Sequence, residues 1–142
     1  MTNLFPIIQP EAETPVQAQL PLCREVAWDF ARGVPVYAGG RPVEVTGVEA
    51  MRVWIWKALK TARFHHDIYT WDYGCEAESL IGKAFTAQVK ESEAVRYVRE
   101  ALAPNPYIRE VLQAQVSFQG TRLEIACRVS TIYGEAEVAV NV

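Results

Sequence analysis

The sequence holds no disulfide framework. Its three cysteines, Cys23, Cys75 and Cys127, are odd in number and far apart, and no Cys-x-x-Cys occurs. That excludes a zinc knuckle or a thioredoxin-like redox site and leaves buried or half-buried free thiols. No apolar run approaches the roughly 20 residues that span a bilayer. The first residues, Met-Thr-Asn-Leu-Phe-Pro, carry no basic segment and no signal-like apolar stretch. A soluble chain kept in a cytoplasm, with no membrane partner, is the expectation. Lys and Arg number 14 against 17 Asp and Glu, a net charge of -3, so the excess of positive charge that marks a dedicated nucleic-acid binder is missing. Half of the 142 residues are hydrophobic and 22% are charged, which excludes a wholly disordered chain. One domain of this size buries enough surface to fold without disulfides or a metal.

The first 22 residues lack Lys and Arg altogether, yet hold four of the eight prolines, Pro6, Pro10, Pro15 and Pro21. Proline removes a backbone donor and fixes φ, so this stretch reads as an extended arm over residues 1–22, with apolar Leu4, Phe5, Ile7 and Ile8 available for docking. A single domain is expected over 23–142. Val26, Trp28 and Phe30 alternate as in a half-buried strand, and two short extended runs flank Gly39-Gly40 as in a hairpin. From Gly47 the period changes. Val48, Met51, Ile55, Ala58, Leu59 and Ala62 follow helical spacing over about 48–62. Trp54 and Trp56 on that helix point in different directions. One of them faces away from the main stripe, toward a second packing surface or another chain. A short helix is expected between Gly74 and Gly82. A third is expected over about 92–103, begun by Glu91-Ser-Glu93 and ended by Pro104-Asn-Pro106.

The last third alternates with period two. Leu112, Ala114, Val116 and Phe118 form one strand. Leu123, Ile125, Cys127 and Val129 form the next, and Ala136, Val138, Val140 and Val142 the last, with turns at Gln119-Gly120 and Gly134. The fold class is α+β: N-terminal arm, β-hairpin, three helices, then an antiparallel three-strand meander. The final strand keeps its alternation to the last residue and carries only Glu135 and Glu137 as charges. An edge so weakly blunted is either covered within the fold or meant to pair with another chain.

Candidate chemistry is sparse. His65-His66-Asp67 sits near Asp72 and Cys75, but adjacent histidines on a strand face opposite sides and there is no second His pair. No metal and no cofactor are expected. The chain has no nucleophile elbow and no phosphate loop, and Glu76 and Glu78 have no apolar surroundings to raise one carboxyl for acid catalysis. Arg52, Lys57, Lys60 and Arg63 form a basic run beside Trp54, Trp56 and Phe64. It reads as a solvated helix face with cations at the C-terminal end, as a nucleic-acid patch that the overall charge disfavours, or as a surface for an acidic protein.

Six blocks carry a family likeness, in this order: Glu25-Val-Ala-Trp-Asp-Phe30, Val45-Thr-Gly-Val-Glu-Ala50, Val53-Trp-Ile-Trp-Lys-Ala-Leu-Lys-Thr61, Tyr69-Thr-Trp-Asp-Tyr-Gly74, Glu78-Ser-Leu-Ile-Gly82 and Thr131-Ile-Tyr-Gly-Glu135. Together they resemble the baseplate wedge and sheath-initiator family of contractile phage tails, in its Gram-positive prophage branch. The resemblance spans about residues 23–140. It implies a structural, non-enzymatic protein of the virion tail baseplate, assembled in the bacterial host cytoplasm. Its implied partners are the sheath protein, other wedge and hub proteins and the tail tube, without nucleic acid or membrane. The wider family docks on its wedge core through a Glu-Pro-Arg motif before a Gly. Here Arg63 and Asp72-Tyr-Gly74 match, while the Glu and Pro are absent and the spacing is longer. The resemblance therefore implies that Arg63, Trp71, Asp72, Tyr73 and Gly74 face wedge neighbours. It likewise implies that Glu135, Ala136, Glu137, Val138, Ala139, Val140, Asn141 and Val142 form the sheath-contacting strand. The competing classes are a tail-borne cell-wall hydrolase and a non-virion adaptor that uses the same sheet edge.

Overall fold

A computed structural model describes residues 20–65 and 68–142. The expected arm lies outside the described residues over 1–19, as do His66 and Asp67. Six short strands open the described chain: β1 (Arg24–Val26), β2 (Trp28–Asp29), β3 (Val34–Pro35), β4 (Tyr37–Ala38), β5 (Arg41–Pro42) and β6 (Glu44–Thr46). The expected hairpin exists at its tip, where β4 pairs with β5 across Gly39-Gly40, both at positive φ. Its flanks part. β3 turns back onto β2, and β6 pairs with β1. The three ladders meet at Ala27, Val36 and Val43, whose backbones bond to one another at 2.7–3.0 Å.

Helix α1 (Gly47–Lys60) follows, burying Met51, Val53, Ile55, Trp56, Ala58 and Leu59. Both of its indoles pack within the domain. Trp56 meets Trp28 and Phe30, and half-buried Trp54 meets Tyr73 edge-on. Helix α2 (Ala87–Leu102) starts five residues earlier than the acidic run indicated. Thr86 accepts from the Val89 N–H at 3.3 Å and caps it, so Glu91 and Glu93 fall beyond the first turn. Its stripe of Ala94, Val98, Ala101 and Leu102 is buried.

Two α-helices are present among the described residues, not three. Between Gly74 and Gly82 the chain forms a single 3-10 turn, Ala77–Leu80, closed by i to i+3 bonds such as Ser79 N–H to Glu76 C=O at 2.9 Å. Ile81 is already extended, so the segment is too short to offset the cost of nucleating an α-helix.

Strands β7 (Ile108–Gln119), β8 (Arg122–Thr131) and β9 (Gly134–Asn141) form the expected meander, in the order β7-β8-β9. Leu123, Ile125, Cys127, Val129, Ala136, Val138 and Val140 face the helices and are buried. Leu112 departs from its expected inward position. The register slips between Val111 and Gln113, which turns Leu112 out and packs Val111 against the core. Helix α1 lies along β9 and α2 along β7, so one core fills the space between two helices and one sheet face. The other sheet face carries Gln113, Gln115, Glu124, Arg128 and Glu137 outward.

Candidate functional site

Two features could serve as contact surfaces: the loop after α1 and the free side of β9. The loop is built on Arg63. Its backbone N–H donates to the Cys75 carbonyl at 3.2 Å, and the Cys75 N–H donates to the Thr61 carbonyl at 2.9 Å. These bonds draw residues 61–63 against 73–75. Gly74, at φ +105, permits the approach, because a Cβ there would stand 2.9 Å from both N and Cα of Arg63. The guanidinium then closes the loop. Nε donates to the Trp71 carbonyl at 2.7 Å, and the remaining nitrogens lie 3.5–3.9 Å from Glu76, Glu100 and Asp72. Its carbon sits 4.5 Å from the centre of the Phe64 ring.

The side chain of Arg63 is consequently only 19% exposed. Of the five loop residues singled out in the sequence, Arg63 and buried Gly74 shape the loop from within. Tyr73 is half-buried between Trp54 and Tyr69. Burial holds the Tyr73 phenol above its usual range, against a side-chain hydrogen bond with Thr61 that acts the other way. Trp71 and Asp72 project outward. Trp71 is 81% exposed and meets exposed Phe64 edge-on at 5.8 Å, and Ile68 is 85% exposed. Solvent-facing apolar side chains on a loop braced by a charge network make it a candidate contact surface. Ile68 was not singled out in the sequence; a lone aliphatic in a polar-aromatic loop gave no sign of its exposure.

At the start of the described chain, the Tyr107 hydroxyl donates to the Pro21 carbonyl at 2.6 Å, and the Cys23 N–H donates to the Tyr133 hydroxyl at 2.9 Å. The two phenol rings stack at 6.1 Å. A groove of about 500 Å³ runs from Leu22 and Cys23 past Trp54 to Asp72 and Tyr73 in the loop.

The second surface is β9. Among the described residues it pairs on one side only, with β8, through eight consecutive partners without a register shift. Leu123 and Val142 exchange both backbone bonds. Antiparallel alternation then turns the N–H and C=O of Gly134, Ala136, Val138 and Val140 toward β8, and those of Glu135, Glu137, Ala139 and Asn141 outward. Two outward carbonyls are occupied from α1. Arg52 Nε donates to Glu137 O at 3.3 Å, and Lys60 Nζ donates to Asn141 O at 2.8 Å. Sequence reasoning missed these, since a carbonyl cap leaves no residue signature. The opposite edge, β7, is irregular. It carries two register shifts, and Arg99 donates to the Val111 carbonyl at 3.1 Å.

The basic run on and after α1 is spent inside the molecule. Lys57 lies 3.4 Å from Glu25 and over the Trp28 ring, Arg52 is 3.2 Å from Glu49, and Arg63 is held as described. Among the described residues no cluster of three or more His, Cys, Asp or Glu is arranged to hold a metal ion, and no helix is long and apolar enough to cross a membrane. Glu76 lies 3.5 Å from Arg63, at a hollow of about 610 Å³ that Glu78 and His65 also line. The thiols match the sequence expectation: Cys23 is half-buried, Cys75 and Cys127 are buried, and all are free. Burial pushes Cys75 and Cys127 up to about 11.

A family model described as the contractile injection system sheath initiator matches residues 24–134. The phage-like element PBSX protein XkdS of Bacillus subtilis (strain 168) is 30% identical over 95 residues, covering 66% of this chain and 67% of that protein. A solved chain from Geobacter sulfurreducens, described as a tail lysozyme, shares the fold at a TM-score of 0.52 over 66% of this chain and 87% of its own, with 22% identity. That likeness is one of fold alone. The family match takes in the short strands, both helices and the meander up to Gly134, and with the PBSX relative it leads to one conclusion: the chain belongs to the contractile injection system sheath initiator family.

Proposed function

We propose that this protein starts sheath assembly at a tail baseplate by accepting a strand of a sheath subunit on the free side of β9. The observation that carries the reading is the contrast between the two sheet edges. β9 is regular along its whole length and offers outward N–H groups at Glu135, Glu137, Ala139 and Asn141, whereas β7 is twice bulged. Bulges blunt an edge, and a long regular edge templates pairing. A contact of this kind, repeated head to tail, does not close and therefore propagates as a helical polymer.

The loop patch is the second part of the proposal. Phe64, Ile68 and Trp71 bind wedge or hub neighbours, with Arg63, Asp72, Tyr73 and Gly74 holding the loop in shape. Residues 23–142 act as one domain and 1–22 as an arm that reaches a neighbour. Assembly occurs in the host cytoplasm, and the tail tube lies within reach of the assembled ring.

Replacing Ala139 by Pro tests the strand contact. Ala139 is exposed and its N–H is turned outward, where proline is tolerated in an edge strand. Val138 is unsuitable, because its N–H is turned to Cys127 and its side chain is buried. Tails carrying Ala139→Pro should be naked tubes on intact baseplates. Normal sheaths on such tails would reject the proposal. Clearing of a peptidoglycan suspension by the purified chain, lost on Glu76→Gln, would favour the hydrolase reading instead.

A further inference from the structure

The two cations on the edge of β9 restrict what can dock there. Arg52 and Lys60 are eight residues apart on α1, about 12 Å along the helix axis. The carbonyls they reach, Glu137 and Asn141, are four residues apart on β9, about 13 Å along the strand. Helix and strand therefore run in step. The donor atoms stand 3.3 and 2.8 Å from the oxygens. A backbone N–H of an incoming strand needs that same position, about 2.9 Å from each oxygen. Both side chains must swing aside before a strand can pair along the full edge.

What receives them decides the kind of strand. When displaced, Arg52 keeps its contacts with Glu49 at 3.2 Å and with the Phe30 ring at 5.7 Å. Among the described residues, Lys60 keeps only the Trp56 ring, 5.4 Å away. A neutral strand would exchange two charge-assisted bonds for ordinary ones and leave the exposed Lys60 ammonium to water alone. Carboxylates on the incoming strand would give both cations stronger acceptors than the carbonyls they leave. Positions i and i+4 of a strand share one face and span about 13 Å, which matches the separation of the two cations.

We propose that β9 selects a strand bearing two carboxylates four residues apart on its helix-facing side, which draw Arg52 and Lys60 off the carbonyls of Glu137 and Asn141. The inference rests on β9 being the strand-accepting edge. Arg52 and Lys60 act as an electrostatic latch: closed over the edge in the free chain, and opened by acidic strands in preference to others. The latch also shields the free edge from non-specific pairing before a partner arrives.

The test uses the full chain and synthetic extended eight-residue peptides of alternating Thr and Val, with Glu, Gln or Lys at positions three and seven. Calorimetry at low salt should show the Glu peptide binding about tenfold tighter than the Gln peptide, the scale of two partly exposed ion pairs, and the Lys peptide weakest. In Arg52→Gln/Lys60→Gln, whose folding is checked by thermal melting, the Glu and Gln peptides should bind alike. Equal binding of the Glu and Gln peptides to the unaltered chain, or a preference that survives the double substitution, overturns the latch. If that equal binding is also lost in Ala139→Pro, strand acceptance stands and only the acidic selection falls. No binding by any peptide, binding untouched by Ala139→Pro, or a β9-dependent dimer of the chain itself overturns both.

Discussion

Gly74 lies so close to Arg63 that a single added carbon would stand 2.9 Å from that residue's N and Cα. The contact fixes the course of the loop that presents Trp71. Gly74→Ala meets both the backbone collision and the strain of φ +105, and should destabilise the chain by about 2–4 kcal/mol. Gly40, at φ +76 with open space around it, is the control. Gly40→Ala should cost about 1 kcal/mol. Urea unfolding of the two variants measures the difference.

Arg63 and Trp71 should separate stability from assembly. Arg63→Ala removes the donor to the Trp71 carbonyl and leaves Glu76, Glu100 and Asp72 without their common cation. A loss of about 2 kcal/mol is expected, with impaired baseplate incorporation as a consequence. Trp71→Ala removes a side chain that is 81% exposed. Its folding stability should fall by less than about 1 kcal/mol. Baseplate incorporation should nevertheless drop sharply, read by the amount of this chain in purified tails.

The buried thiols give a pH signature. Cys75 and Cys127 stand at about 11 in the folded chain, against an ordinary value of 9.0, because burial disfavours the thiolate. Their folded values are raised, so the folded state holds protons that the unfolded state has released between pH 9 and 11. The stabilisation is fully present below pH 9 and is lost as pH rises toward 11. Each thiol contributes on the order of 2 kcal/mol. Unfolding midpoints should fall across that window, and Cys75→Ser should flatten the fall. At neutral pH a thiol reagent should modify half-buried Cys23 first, and the other two only after unfolding.

Much of this architecture was legible in the sequence because burial and periodicity coincide. Ile125, Cys127 and Val129, like Val98 and Leu102, announce their elements through spacing alone. Ordered blocks such as Trp71-Asp-Tyr-Gly74 carried the family. What stayed hidden depends on single bonds, register slips and close approaches that leave no period in the sequence. The Thr86 cap gives α2 its early start, the slip at Val111–Gln113 turns Leu112 outward, and the Gly74–Arg63 contact makes Arg63 a brace instead of an exposed contact. The 3-10 turn at Ala77–Leu80 shows the limit of composition, since two glycines bounded the segment but only four residues between them are helical. The caps of Arg52 and Lys60 on β9 looked, in sequence, like a plain basic helix face.

Strand acceptance at β9 is the central claim, and amide hydrogen exchange tests it most directly. The isotopically labelled chain is followed by NMR, alone and with the sheath protein. The outward N–H groups of Glu135, Glu137, Ala139 and Asn141 should exchange quickly in the free chain and become protected in the complex. Those of Ala136, Val138 and Val140, already bonded to β8, should be protected in both. Protection that appears at alternate residues of β9 on sheath binding is the predicted result. Sheath binding that leaves the four outward amides exchanging as in the free chain would contradict the account.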